Sequence, residues 1–213
     1  MTTPDLYERT DITEAIRALK GDLLGPDGPR ISTTRKYNFA ILPYHPSDEI
    51  KLRRSVARLA EELRAEGWSV LSLALHRMLL DRLRRLEPAH MESVIARETR
   101  LHVKDPPRAL TYLTEFLSHH IEGPDGLAAD VGKAITDFKA QLPSPDAPAV
   151  VFVGRAGALY PFFRTSALLR HIDGHTGDVP VILLYPGERR GQSALSFMGE
   201  LSPDRDYRPR IYP

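Results

Sequence analysis

Two short apolar runs joined by an amphipathic helical stripe, and a second such pair after a proline-rich break, predict an α/β fold. Its expected form is a mainly parallel central sheet flanked by helices on both faces. The first two runs are Tyr37 to Leu42 and Trp68 to Leu75, and the later two are Ala149 to Val153 and Val179 to Tyr185. Continuous apolar runs of this length mark strands buried on both faces, and strands alternating with helices require right-handed crossovers between parallel neighbours. Size and composition agree. With 213 residues, 42% of them hydrophobic and 27% charged, the chain is globular in composition. It is also long enough to bury roughly 70% of its unfolded surface without disulfides.

The elements follow in order. Asp11 can cap a first helix, with Glu14 as its reciprocal partner and Ile12, Ala15, Ile16 and Leu19 on one face. Gly-Pro-Asp-Gly-Pro at 25–29 ends it. The strand from Tyr37 stops at Pro43, and Ser47 caps a helix that has Asp48 and Glu49 in its first turn, where carboxylates suit the helix dipole. Leu52, Val56, Leu59 and Leu63 form its buried stripe, and Gly67 closes it before the strand from Trp68. Leu79, Leu83 and Leu86 mark a further helix, interleaved with Arg77, Arg82, Arg84 and Arg85. Residues 88–142 read as helical, divided by Asp-Pro-Pro at 105–107. Pro-Ser-Pro-Asp-Ala-Pro at 143–148 leads back into the sheet, and Pro161 can open a helix reaching about Arg170. The expected organisation is one domain, 1–213: an N-terminal helix and loop (1–30), a first β-α-β-α unit (37–86), a helical insertion (88–142), and a second β-α-β unit with a tail (149–213).

Several functions are disfavoured. Lys plus Arg number 29 and Asp plus Glu 28, a net charge of +1, which argues against an overall basic nucleic-acid binder. There is no cysteine, hence no disulfide framework, thiol nucleophile or thiolate metal site. The polar Met-Thr-Thr-Pro-Asp start lacks secretory features and no apolar run approaches a membrane span, so a cytoplasmic protein without membrane contact is expected. Gly154-Arg155-Ala156-Gly157 lacks the lysine and hydroxyl residue of a P-loop, and the one Gly-Lys pair, Gly132-Lys133, precedes Ala134 in a helical pattern. The chain could therefore be a degenerate P-loop-like fold without a Walker A motif. No dinucleotide fingerprint and no Gly-x-Ser-x-Gly elbow occurs, which leaves Ser72 and Ser166 as ordinary residues. His171 and His175, with Asp173 between them, read better as a loop than as metal ligands. His119 and His120 close a helix whose dipole favours imidazolium. No catalytic residue, metal or cofactor is expected.

Ligands of open parallel sheets bind beyond the carboxyl ends of the strands. Those ends carry Pro43-Tyr44-His45-Pro46, His76-Arg77, Gly154-Arg155-Ala156-Gly157 and Glu188-Arg189-Arg190-Gly191. Gly154, Arg155, Gly157, Arg189 and Arg190 are thus candidate anion ligands, against the ordinary reading of turn glycines and solvated arginines. Candidate partner-binding residues are Tyr160, Phe162 and Arg164 after the third strand, and Tyr207, Arg208 and Tyr212 in the aromatic, basic tail. Tyr and Arg are enriched at binding hot spots, although aromatics here could equally pack on the sheet.

Four stretches carry a family resemblance: Phe39 to Glu49 (FAILPYHPSDE), Val150 to Arg164 (VVFVGRAGALYPFFR), Pro180 to Gly187 (PVILLYPG) with Leu195 to Gly199 (LSFMG), and Tyr207-Arg208. In order and spacing they resemble the BrxB family of BREX phage-defence systems. Two departures stand out: His45 where an acidic residue is expected, and Asp206-Tyr207-Arg208-Pro209 where a tyrosine pair followed by Arg-Ala is expected. Proline at 209 offers no backbone donor to a docked tail. The resemblance implies a non-catalytic accessory or scaffold protein. Its expected partners are the PglZ phosphatase-like protein first, then an ATPase and a DNA methyltransferase, in phage restriction and host DNA methylation. The rival readings are a nucleotide- or anion-binding enzyme or sensor using the strand-end rim, and a nucleic-acid-binding subunit using Arg77, Arg82, Arg84 and Arg85. Oligomeric state does not follow from the residues.

Overall fold

The computed structural model describes residues 11–25, 29, 31, 38–122, 125–163, 168, 179–190, 194–198 and 210–213. In chain order the elements are α1 (Ile12–Leu23), β1 (Phe39–Tyr44), α2 (Glu49–Ala65), β2 (Ser69–Ala74), α3 (Leu75–Arg84), α4 (Pro88–Lys104), α5 (Pro106–Glu122) and α6 (Leu127–Ala140). They continue with β3 (Ala149–Gly154), β4 (Val181–Arg190), β5 (Ala194–Phe197) and β6 (Arg210–Ile211). The sheet order is β2-β3-β4-β1-β6, all parallel, with β5 antiparallel to the far end of β4. The expected α/β fold, with helices on both faces of a mainly parallel sheet, is the one observed.

Alternation along the strands sorts side chains onto two faces. Ala40, Leu42, Tyr44, Phe152 and Leu184 point into a core closed by α1 and α2. Ile41, Val151, Val153, Leu183 and Tyr185 point into a second core closed by α3, α5 and α6. Helix α4 buries only Val94 and packs on α5, outside both cores. Helix α1 and the last residues meet at the sheet edge. Tyr212 is wholly buried and donates from its hydroxyl to Asp22 of α1 at 3.0 Å, while Arg210 reaches the same carboxylate at 2.8 Å. Burial, and then the Asp22 contact, push the Tyr212 phenol well above its ordinary pKa.

Several local expectations change. Pro43 lies inside β1, opposite Tyr185 of β4, rather than ending it. On its other side β1 pairs with β6 at Ala40 and Ile41, and among the described residues no strand there needs an N–H near Pro43. β2 is an edge strand with partly exposed residues, not one buried on both faces. Ser47 is not the cap of α2. His45 accepts from the Ser47 amide at 3.2 Å and starts a 3₁₀ turn, Pro46–Asp48, which feeds α2. An imidazole nitrogen thus takes the capping role that a carboxylate commonly fills. Asp11 does cap α1, through the Thr13 amide at 2.8 Å. No helix starts at Pro161: Ala156–Leu159 is a 3₁₀ turn, and Pro161 and Phe162 form a turn. Of the remainder of that expected helix only Phe163 and Leu168 are described, and Leu168 is helical.

Candidate functional site

The carboxyl ends of β1, β4, β3 and β2 open on the α2 face into a cleft of about 680 Å³. β2 and β6 lie on opposite sides of the β4–β1 pair, so the switch point of the sheet falls between β4 and β1, and the cleft opens beside it over β3 and β2. Its floor is apolar, formed by Phe152, Leu184, Leu52 and Val56. Its walls are cationic: Arg53 and Arg54 from α2, Arg77 from α3, and Arg155 just after β3.

Glu49, the first residue of α2, is the one carboxylate among the described lining residues. Arg155 donates to it from Nη1 at 2.9 Å, and the Tyr44 hydroxyl donates to its other oxygen. Tyr44 is almost fully buried, and burial followed by the Glu49 contact holds its phenol far above the ordinary pKa, so it remains a donor. Arg155 reaches Glu49 from a left-handed backbone at φ 67°, a conformation costing a non-glycine residue about 1–2 kcal/mol. In a P-loop, the turn between strand and helix N-terminus holds phosphate. In this chain that place is filled by the protein's own carboxylate.

His76 stands beside this group. Its Nδ1 is buried and has no hydrogen-bond partner among the described residues. Burial, then the charges of Arg155, Arg77 and Arg53, hold its pKa below the ordinary value against an opposing pull from Glu49. The imidazole is therefore neutral near pH 7.

Of the anion candidates, the structure keeps Arg155 at the cleft but gives it a resident partner in Glu49. Gly154 and Gly157 are packing positions. A Cβ at Gly154 would press on Leu184 Cδ1 at 3.2 Å, and one at Gly157 would press on Pro186 and Met198, both also at 3.2 Å. Arg189 and Arg190 are not in a loop after the fourth strand. β4 continues through them and pairs with Leu195 and Ala194 of β5. Gly187 permits this hairpin, since a Cβ there would land on the Ser196 carbonyl oxygen.

Of the partner candidates, Tyr160 and Phe162 are partly buried against the α3-side core, with Tyr160 6.5 Å from the Phe197 ring. Tyr212 is an interior residue and presents no ring face to a partner. Arg164, Tyr207 and Arg208 lie outside the described residues, as do Ser166 and the His171–His175 segment. The tail docks on its own sheet immediately after Pro209: Arg210 and Ile211 pair with β1, and the Tyr212 amide donates to Ile41 at 2.9 Å.

The basic helix α3 is mostly engaged. Arg82 and Arg85 reach Asp130 at 2.8 and 3.3 Å, and Arg84 reaches Asp81 at 2.8 Å. His120 does not follow the dipole expectation: burial, then Arg82, His119 and His90, lower its pKa. No group of three His, Asp or Glu among the described residues could hold a metal, and no described helix is long and apolar enough to cross a membrane.

Sequence reasoning missed Arg53, Arg54 and Glu49 as site residues. Their signal was present. Ile50, Arg53, Arg54 and Ala57 recur at i, i+3, i+4 and i+7, a second stripe beside the buried leucines of α2.

Among protein families, the one described as BREX protein BrxB matches residues 71–211. The match covers the chain from β2 to the end of β6; the resembling stretch Phe39 to Glu49 lies before it. Neither a curated protein nor a solved structure matches the chain.

Proposed function

From the premise that this chain belongs to the BrxB family of BREX phage-defence proteins, we propose that it is a non-catalytic accessory subunit that holds other BREX components together. Its first partner in this reading is the PglZ phosphatase-like protein, and its loss would abolish phage restriction and host DNA methylation. The family match is the observation that carries the reading. The protein works in the cytoplasm, where phage and host DNA are encountered.

The α4–α5 hairpin supports a docking role. Helix α4 stands outside both cores and α5 gives them only one side, so the pair exposes Ile95 by 58%, Val103 by 81% and Leu110 by 46%. Tyr160 and Phe162 are the candidate aromatic anchors on the rim side. The nucleic-acid alternative is less favoured, because Arg82, Arg84 and Arg85, three of the four arginines at 77–85, already have carboxylate partners.

The test is a tagged pull-down from the native operon, with nuclease treatment and moderate salt. Stoichiometric recovery of the PglZ-like protein, lost in an I95E/V103E variant that retains the wild-type melting temperature, is the expected result. Recovery of the chain alone would sink the adaptor reading.

A further inference from the structure

We propose that the cleft between α2 and the carboxyl ends of β2 and β3 binds a nucleotide, with its phosphates on Arg53 and Arg77 and its base over the apolar floor. The reading is independent of which BREX protein the chain contacts.

Three observations converge on this cleft. The first is charge. Four guanidinium groups face one carboxylate, and that carboxylate is already held by Arg155 and Tyr44. Arg53, Arg54 and Arg77 have no carboxylate partner among the described residues, and each is exposed. Guanidinium forks are suited to bidentate binding of phosphate oxygens.

The second is an unmet polar group. His76 Nδ1 is buried without a partner among the described residues, beside three arginines that act on it. A buried polar atom left unpaired is costly, and a shift of the ring toward a ligand oxygen in the cleft would relieve it. The arginines also keep the ring neutral. A bound anion would offset their charge and raise the affinity of His76 for a proton, so phosphate binding tightens as pH falls.

The third is shape. A volume of 680 Å³ falls within the range of small-molecule sites. Phe152 and Leu184 floor it, while Ile50, 63% exposed, stands at its edge as an apolar wall with no covering group among the described residues. A free phosphate would use only the cationic wall; a nucleotide uses both surfaces. Glu49 excludes phosphate from the α2 N-terminus itself, which places the ligand one turn along the helix, at Arg53. The geometry supplies binding and no hydrolytic step.

Calorimetric titration of the full chain with ADP, pyrophosphate, adenosine and a hexaglutamate peptide tests the proposal. Saturable ADP binding is expected, with weaker pyrophosphate binding and little with adenosine. The R53A/R77A variant should lose about tenfold or more in ADP affinity through its missing charged hydrogen bonds. Both side chains are exposed, so its circular dichroism and melting temperature should match wild type. ADP affinity should rise between pH 7.5 and 6, and that rise should vanish in H76N. No ADP binding at millimolar concentration, or undiminished binding in R53A/R77A, would overturn the proposal. Tighter binding of hexaglutamate than of ADP would also overturn it, and would identify the cleft as a dock for an acidic protein segment.

Discussion

The two faces of the sheet receive alternate residues of the same strands yet end up as different kinds of surface. On the α3 side, α3, α5 and α6 close over Ile41, Val153 and Leu183, and Leu127, Val131 and Ile135 of α6 are completely buried there. On the other side the described helices are α1 and α2, and they cover the sheet unevenly. They bury Ala40, Leu42 and Ile182 at the centre but leave the carboxyl ends of β2 and β3 lining an open cleft. The packing of α1 and α2 therefore leaves the place where a ligand could enter. The buried stripe of α2 faces the core, and its flanking stripe of Ile50, Arg53, Arg54 and Ala57 is left to line the cleft wall.

Truncating a comparable leucine on each face gives the largest test of this contrast. Leu127→Ala, on the closed face, should cost about 3–5 kcal/mol, because the lost side chain leaves a sealed cavity among α6, α3 and the sheet. Leu184→Ala, on the floor of the cleft, should cost about 2 kcal/mol, since part of the vacated space opens to water. Urea unfolding of both variants checks this. Equal losses would mean that the cleft floor is as tightly sealed as the opposite core.

How far the sequence revealed this arrangement depends on the scale of the interaction. All four apolar runs became parallel strands because continuous burial is written locally, in runs such as Val150 to Val153. Edge positions were not legible. Trp68 to Leu75 reads as a fully buried strand, yet β2 is an edge, and strand order depends on which crossover covers which face. The tail shows the same limit. Tyr207 to Tyr212 looks like a docking segment in isolation, but its last residues pair with β1 and its last tyrosine is core, a contact spanning most of the chain. Glu49 and Arg155 are 106 residues apart, so no spacing rule could have joined them. The fourth apolar run reads as ending at Tyr185, whereas β4 continues to Arg190, because its partner strand β5 lies later in the chain.

Breaking the resident carboxylate is the next largest effect. Glu49→Ala leaves the buried Tyr44 hydroxyl without its acceptor and Arg155 strained without its partner, which should cost about 1–3 kcal/mol. Glu49→Gln should lose less, since its carbonyl oxygen can still accept from one of the two donors. If the central anion chiefly organises the cleft, Arg155→Gly should recover part of the loss seen in Glu49→Ala, because glycine relaxes the left-handed backbone at no steric cost. Additive losses in the double variant would show instead that the pair contributes independently to the fold.

The smallest effect concerns pH, and it touches both faces. His76 at the cleft and His120 on the closed side both have pKa values lowered below 6.5 by burial and neighbouring positive charge. The unfolded chain therefore binds these protons first as pH falls, so stability drops from about pH 6.5 down to the lowered folded values; above that window the two histidines contribute no pH dependence. Groups around His76 are Arg53 and Glu49 of α2, Arg77 of α3 and Arg155 after β3; around His120 they are Arg82, His119 and His90. Urea midpoints between pH 5.5 and 7.5 should fall toward acid in the wild type and fall less steeply in H76N and in H120N. The two histidines differ in one respect. Saturating anion at the cleft should flatten the His76 contribution by offsetting the arginine charges, and should leave that of His120 unchanged. An anion that flattened both alike would point to general screening, and would remove the distinction between the open face and the closed one.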